Sequence, residues 1–399
     1  MARNTMPVAS DRGWRPAGAF AAQQPQWQSH PDHEVCCATL AASPALVTPQ
    51  ELAEVGRGLA VVAGGGAEVL QIGYCAESFY EIGAEHVRAE LRLLHELADE
   101  MEGASGHRVL RVGRLAGQFA KPRSQPLERV GDQLLPAFRG HMINSEQPTP
   151  EARAHDPRRM VQAYRASAAV AEIVRADRVR RAGDVFPSGP WTSHDALVMD
   201  YESNLLRTGP GIRFLGSTHL PWAGDRTRQP GSAQIELLST VANPVACKIG
   251  PTTTPEDLAA VCARLDPDRA PGRLTLIVRF GVAAIVELLP VMVATVRAQG
   301  HPAIWLSDPM HGNTVKVRGV KTRRLADVVA EAVQFRRTLR DLGVHPGGLH
   351  LEVAAAAVTE CLDPTMHGTD QLADRYTTLC DPRLNPAQAA ELLWRWLHT

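Results

Sequence analysis

The sequence has no excess of either charge: 42 Lys and Arg stand against 43 Asp and Glu in 399 residues. That argues against a basic surface built to follow a nucleic-acid backbone, while leaving room for a local anion site. Long apolar runs are also missing. A membrane-spanning helix needs roughly 18 or more consecutive apolar residues, and the most apolar stretch, Ala283 to Val296, is interrupted by Glu287 and Pro290. The segment Met1 to Trp14 carries Arg3, Asn4, Asp11 and Arg12 and has no apolar core of the kind a secretory leader requires. A cytoplasmic protein that engages neither membrane nor nucleic acid is therefore expected. Cysteine is sparse and odd in number, seven residues without a compact framework, which fits reduced thiols better than structural disulfides. Gly64-Gly65-Gly66 is not followed by the Gly-Lys-Ser/Thr of a phosphate loop, and a strand pattern rather than a helix comes next. No fixed-period repeat is visible, which argues against a solenoid.

What is present is enough apolar material for a sizeable core, 44% hydrophobic with 21% charged residues. The first fifty residues are rich in Ala, Pro and Gln, with Trp14 and Trp27 as large apolar anchors. Residues 1–52 read as an irregular arm packing on a body formed by residues 53–399. From Pro49 onward helical and strand patterns alternate. Short apolar runs predict strands at Val69–Gly73, Arg108–Val112, Phe214–Thr218, Ala246–Ile249, Leu274–Val278, Ala303–Leu306, Leu349–Val353 and Tyr376–Leu379. Helices are expected at Pro49–Ala63, Glu81–Met101, Pro255–Arg264, Ala284–Gln299 and Ala326–Leu342, with a further long one opened by Asp156-Pro157. Eight strands alternating with helices point to an α/β fold, a (β/α)8 TIM barrel with an N-terminal extension; a doubly wound open sheet is the rival.

Chemistry-bearing residues follow the predicted strands. Cys75 comes after the first, Arg114 after the second, and Lys248 and Arg279 lie at the fourth and fifth. Ser307 to Thr314, with His311, follows the sixth; His350-Leu351-Glu352 lies in the seventh, and Cys380-Asp381-Pro382-Arg383 ends the eighth. In a parallel barrel these ends share one rim, where active sites are built. Glu352 in an apolar strand needs a cationic partner. Cys, His, Glu and Asp together make a mixed soft and hard donor set that suits a divalent transition ion. The basic clusters around Arg114, Lys121-Pro122-Arg123-Ser124, Asp225-Arg226-Thr227-Arg228 and Lys248 have the forks and hydroxyls that bind phosphates.

Five segments carry a resemblance: Gly113 to Ser124, Trp191 to Leu197, Gly224 to Gln229, Asp308 to Thr314 and Asp381 to Asn385. They resemble the type II 3-deoxy-D-arabino-heptulosonate 7-phosphate (DAHP) synthases, and the likeness runs from Trp14-Arg15 and Gln24-Pro25 to the C-terminus. The resemblance implies a (β/α)8 enzyme that condenses phosphoenolpyruvate with erythrose 4-phosphate and releases phosphate. It implies a divalent metal, manganese or cobalt, on Cys75, His311, Glu352 and Asp381. Arg114, Lys248, Arg279 and Arg226, with Asp225 beside it, would serve phosphoenolpyruvate; Lys121, Arg123 and Ser124 would face the aldose phosphate. Lys121, Arg226 and Lys248 are the implied catalytic residues, Lys121 being one of two candidate proton donors beside a metal-bound water. A homodimer or tetramer and a chorismate mutase partner are further implications.

Three departures stand out. Tyr74 replaces the aspartate of a usual Gly-Asp-Cys-Ala-Glu, Asp225 replaces a glutamate, and Ala283-Ala284 stand where a lysine is common. The chain is short for the family, as compact members in secondary-metabolite pathways are, which implies a pathway-dedicated enzyme insensitive to Phe, Tyr and Trp. Other readings are a synthase taking an amino analogue of the aldose, or a non-catalytic paralogue. Cys380, next to Asp381, is also placed where it could form a disulfide with Cys75 that expels the metal.

Overall fold

The protein is described by a computed structural model over residues 9–10, 18–181, 185–209, 211–363 and 372–399; Trp14 and Arg15 lie outside the described residues. Eight parallel strands close a barrel: β1 (Ala67–Gly73), β2 (Arg108–Arg114), β3 (Trp191–Asp195), β4 (Leu220–Ala223), β5 (Val245–Ile249), β6 (Leu274–Val278), β7 (Ile304–Ser307) and β8 (Gly348–Glu352). They follow one another around the barrel in chain order, with β8 pairing β1 to close it. Helices Ala84–Ser105, Arg158–Arg181, Met199–Asn204, Ala233–Ser239, Pro255–Leu265, Ile285–Ala298, Leu325–Asp341 and Pro386–Leu397 follow the strands in turn.

Strand alternation sorts the side chains. Leu70, Ile72, Val245, Cys247, Leu274, Leu276, Leu349 and Leu351 share the core between barrel and helices. Val69, Leu110, Val112, Trp191, Leu220, Trp222, Ala246, Ile277 and Leu306 belong to the separate cluster inside. Helix Pro49–Ala63, started by a Thr48/Glu51 capping box, sends Val55, Leu59 and Val62 into that inner cluster and so seals the N-terminal end of the barrel. It passes so near the β5–β6 connection that a Cβ on Gly272, whose φ is +82°, would meet the Ala60 nitrogen at 2.6 Å. The remaining end, at the C-termini of the strands, is left for the site. Further out, Asp200 Oδ2 accepts from Trp27 Nε1 at 2.9 Å and pairs with His33 Nε2 at 2.9 Å, tying residues 27–33 to helix Met199–Asn204.

Two of the eight expected strands differ. Phe214–Thr218 is replaced by Ile212–Leu215, which pairs antiparallel with Leu206–Gly209 outside the barrel, and no strand forms at Tyr376–Leu379. The third and fourth barrel positions belong instead to β3 and β4. The sequence of β3, Trp-Thr-Ser-His-Asp, is polar because Ser193 and Asp195 face a functional interior, and β4 contains Pro221, which removes a ladder donor. Lys248 and Arg279 therefore sit at β5 and β6, His311 follows β7, Glu352 ends β8, and Asp381 comes from the long segment after it. No described helix is long and apolar enough to cross a membrane.

Candidate active site and metal centre

The last inward positions of β2, β3, β5 and β8 are Arg114, Asp195, Lys248 and Glu352. On β8, His350 and Glu352 face in while Leu349 and Leu351 face out; on β5 the inward pair is Ala246 and Lys248. Cys75, His311, Glu352 and Asp381 each offer a ligand atom, all within 4.8 Å of one another. Cys75 Sγ lies 3.0 Å from Asp381 Oδ2, and His311 Nε2 lies 2.9 Å from Glu352 Oε1. A thiol, an imidazole and two carboxylates so close fit a divalent transition ion.

The surroundings orient these four side chains and set their charge. His311 Nδ1 lies 2.8 Å from Asp308 Oδ2; donation there leaves the Nε2 lone pair for the cation. Burial, with Asp381 and Glu352 beside it, pushes the Cys75 thiol well up. Burial would also raise Asp381, but Lys121 and Lys321 outweigh it and hold the carboxyl well below its ordinary range. Burial likewise opposes ionisation of Glu352, and His311, Arg323 and Arg114 overcome it. Arg114 Nη2 is 3.1 Å and Arg323 Nη1 2.7 Å from the Glu352 oxygens. Glu77 accepts from the main-chain nitrogens of Ala116, Gly117 and Gln118 at 2.7–3.1 Å. It thereby shapes the turn between β2 and Lys121. Gly117, at φ +158°, leaves room for His194, whose Nδ1 would lie 2.1 Å from a Cβ there.

Beside these four residues a cleft is lined by Arg114, Lys121, Asp225, Arg226, Lys248 and Arg279, together with Gln118, Asp195 and Trp222. Arg114 is 2% exposed, and its Nε and Nη1 have no hydrogen-bond partner; neither does Arg279 Nε. Buried guanidinium donors without acceptors cost free energy unless an anion meets them. Lys248 pairs with Asp308 at 2.8 Å, and the Lys248 and Arg114 cations lie 5.7 and 5.6 Å from the Trp222 ring centroid. Burial and the neighbouring Arg114 push the Lys248 ammonium down, with Asp308 opposing. Lys121, although buried, is held above its ordinary value by Asp381 and Cys75.

Arg123 and Ser124 are not in this cleft. They line a second cavity with Gln23, Gln24 and Arg139, and Arg123 pairs there with Glu128. Asp225 accepts from Arg279 Nη1 at 2.5 Å and Arg228 Nε at 3.1 Å, acting as a brace between cations. Tyr74 turns away from the cleft: its hydroxyl lies 2.5 Å from Glu90 Oε1 and 2.9 Å from His86 Nε2. Cys75 and Cys380 are free thiols. Sequence reasoning passed over Asp195, Asp308, Lys321 and Arg323. Asp308 had a signal, three residues before His311 in the same turn; Lys321 and Arg323 reach the centre from the hairpin Thr314–Val317/Val320–Arg323, which spacing does not reveal.

Comparison with known proteins identifies the relatives of this chain. Residues 10–186 and 180–395 match the Class-II DAHP synthetase family. A probable phospho-2-dehydro-3-deoxyheptonate aldolase of Pseudomonas fluorescens is 43% identical over 378 residues, covering 94% of each chain. Phospho-2-dehydro-3-deoxyheptonate aldolases of Streptomyces coelicolor and Mycolicibacterium smegmatis are 38% and 37% identical, covering 93% of this chain and 93% and 91% of theirs. A solved phospho-2-dehydro-3-deoxyheptonate aldolase from Francisella tularensis superposes with a TM-score of 0.52 at 11% identity, over 91% of this chain and 95% of the other. That likeness bears on the barrel fold alone.

Proposed function

The chain belongs to the class-II DAHP synthetase family, and from that membership we propose that its cleft condenses phosphoenolpyruvate with erythrose 4-phosphate and water to give DAHP and phosphate. The observation that carries the reading is the pairing of a four-ligand centre with unpartnered guanidinium donors in one cleft. A metal centre alone fits many hydrolases; a metal centre beside donors for two anionic groups fits a phosphorylated carboxylate.

Cys75, His311, Glu352 and Asp381 would hold the divalent cation, manganese or cobalt. When bound, it supplies a Lewis acid for the aldehyde oxygen of the aldose. Arg114, Lys248, Arg279 and Arg226 would take the carboxylate and phosphate of phosphoenolpyruvate, offsetting the repulsion between two anionic substrates and aligning the enol carbon with the aldehyde. Lys121, kept charged against Asp381, would give a proton to the oxygen that becomes a hydroxyl. Arg123 and Ser124, which line the second cavity, would receive the aldose phosphate there.

The reading extends to a pathway-dedicated enzyme insensitive to Phe, Tyr and Trp. Its support lies inside the alignment: 422 positions are needed to match 93% of this chain to the Streptomyces coelicolor relative, so that relative carries residues within the matched region that have no counterpart here. The resemblance also carries a homodimer or tetramer and a chorismate mutase as partner. Tyr74, facing His86 and Glu90, favours neither the amino-aldose acceptor nor the non-catalytic reading.

The test is phosphate release and DAHP formation by chelator-treated protein given manganese or cobalt, beside Cys75→Ser. Metal-dependent product, lost in the variant, is expected. Phosphoenolpyruvate binding without product would overturn the acceptor, and no binding would overturn the function. Inhibition by any aromatic amino acid below millimolar concentration would remove the extension.

A further inference from the structure

Three carboxylates line the cleft: Asp195, Asp225 and Asp381. Both oxygens of Asp225 are taken by Arg228 and Arg279. Those of Asp381 are taken by Lys321 on one side and by Lys121 and Cys75 on the other. Asp195 differs. It ends β3 on the inward side, and its main-chain N–H donates to Gln118 Oε1 at 3.0 Å, which fixes the strand end against the β2 turn. Gly224 at the end of β4 comes so close that a Cβ would sit 2.8 Å from Asp195 Oδ2, so the carboxylate has little freedom to swing. Its Oδ1 is buried and has no hydrogen-bond partner.

The condensation assigned above needs a group of this kind. When C3 of phosphoenolpyruvate bonds to the aldehyde carbon, the carbonyl electron pair moves to the aldose oxygen and C2 is left electron-poor. Water must then bond to C2 and lose a proton. Lys121, Lys248, Arg114 and Arg279 are cations and take no proton. Resting on the proposed function, we propose that Asp195 is the general base that orients this water through Oδ1 and accepts its proton as the oxygen bonds to C2. The intermediate is a hemiketal phosphate. As its C2 hydroxyl becomes a carbonyl and releases its proton to solvent, the bond from C2 to the phosphate ester oxygen breaks. Asp195 returns its proton to the departing phosphate. Lys121 regains from solvent the proton it gave to the new hydroxyl, so of the two hydrogens of water one ends on the sugar and one on phosphate.

The electrostatics agree. Burial pushes the Asp195 carboxyl up to about 7, against Lys248 from β5, His194 on its own strand and Arg114 from β2, while Glu202 from helix Met199–Asn204 adds to the rise. A base of that strength is matched to a proton transfer near neutral pH.

The experiment compares manganese-loaded wild type, Asp195→Asn and Asp195→Glu by calorimetric phosphoenolpyruvate binding, metal binding and steady-state rates from pH 5 to 9. General bases contribute about 10²–10⁴-fold. Asp195→Asn is therefore expected to lower kcat at least ~100-fold, with phosphoenolpyruvate and metal affinities within about threefold, and to lack the acid limb near 7 that is expected of wild-type kcat. Asp195→Glu keeps a carboxylate and is expected to retain the limb and at least a tenth of the rate. An Asn variant with kcat near wild type and the limb intact would overturn the assignment, as would weakened binding at unchanged kcat. Should the Asn variant fail to fold, the Glu variant decides: binding kept but rate and limb both absent overturns the assignment. Wild type making no DAHP would instead break the reading on which the assignment rests.

Discussion

Lys248 Nζ lies 2.8 Å from Asp308 Oδ2, and the same oxygen lies 2.8 Å from His311 Nδ1. One buried carboxylate thus steadies a proposed metal ligand and a proposed anion-binding lysine. Burial opposes its ionisation, but His311 and Lys248 hold it well below the ordinary carboxylate range. Because histidine ligands depend on the acceptor of their second ring N–H, outer-shell losses cost about 10–100-fold in metal affinity. Asp308→Asn is expected to weaken cobalt binding by about that factor and to raise KM for phosphoenolpyruvate as well. Calorimetric titration of both ligands checks it; a change in one affinity alone would separate the two roles.

Arg279 donates Nη1 to Asp225 and Nη2 to the His311 carbonyl, leaving Nε free. A lysine there keeps charge but loses the fork. Hydrogen bonds to charged groups are worth about 1.5–3 kcal/mol, so Arg279→Lys is expected to raise KM for phosphoenolpyruvate roughly 10–100-fold. Metal affinity measured in parallel should move less than about threefold, because the His311 side chain keeps Asp308.

Tyr74 gives its hydroxyl to Glu90, a buried carboxylate that also accepts from the Ala355 nitrogen at 2.8 Å. This links the start of the β1 loop to the segment after β8. Tyr74→Phe removes one of the two donors to Glu90 Oε1, leaving only the Ala355 nitrogen, and is expected to lower stability by about 1–3 kcal/mol in denaturant melts. Metal affinity should hold, since the hydroxyl faces away from the centre.

At the sealed end of the barrel, His219 Nδ1 accepts from the Thr192 nitrogen at 3.1 Å, and Nε2 lies 3.8 Å from Glu51. Burial lowers His219 from 6.5 to about 4, with Glu51 opposing and Arg178 assisting. The unfolded chain therefore binds the proton more readily, and stability falls as pH drops from about 6.5 to 4. The loss is about 3 kcal/mol across that window. His219→Gln should flatten the slope in unfolding curves measured through it. Below that range Glu51, whose carboxyl His219, Arg175 and Arg178 hold down against its burial, adds its own loss.

Local pattern was enough to reveal β1, β2 and β5 to β8, because apolar alternation and runs mark strands whose neighbours are also apolar. The four proposed metal ligands, which the fold brings within 4.8 Å of one another, and most of the cleft cations were legible too, since each lies within a residue or a short turn of such a strand or in a long motif. Arg123 was legible as a cation, but its pairing with Glu128 in a second cavity was not. β3 and β4 were hidden for the opposite reason: Ser193, Asp195 and Pro221 obey the needs of the interior and of a short ladder rather than strand propensity. Residue type and order already dictate that a thiol, an imidazole, carboxylates and guanidinium groups reach one rim. Which carboxylate braces a cation and which keeps an oxygen free was decided only when the barrel closed, because Asp225, Asp381 and Asp195 acquire their partners from strands and hairpins far away in the chain.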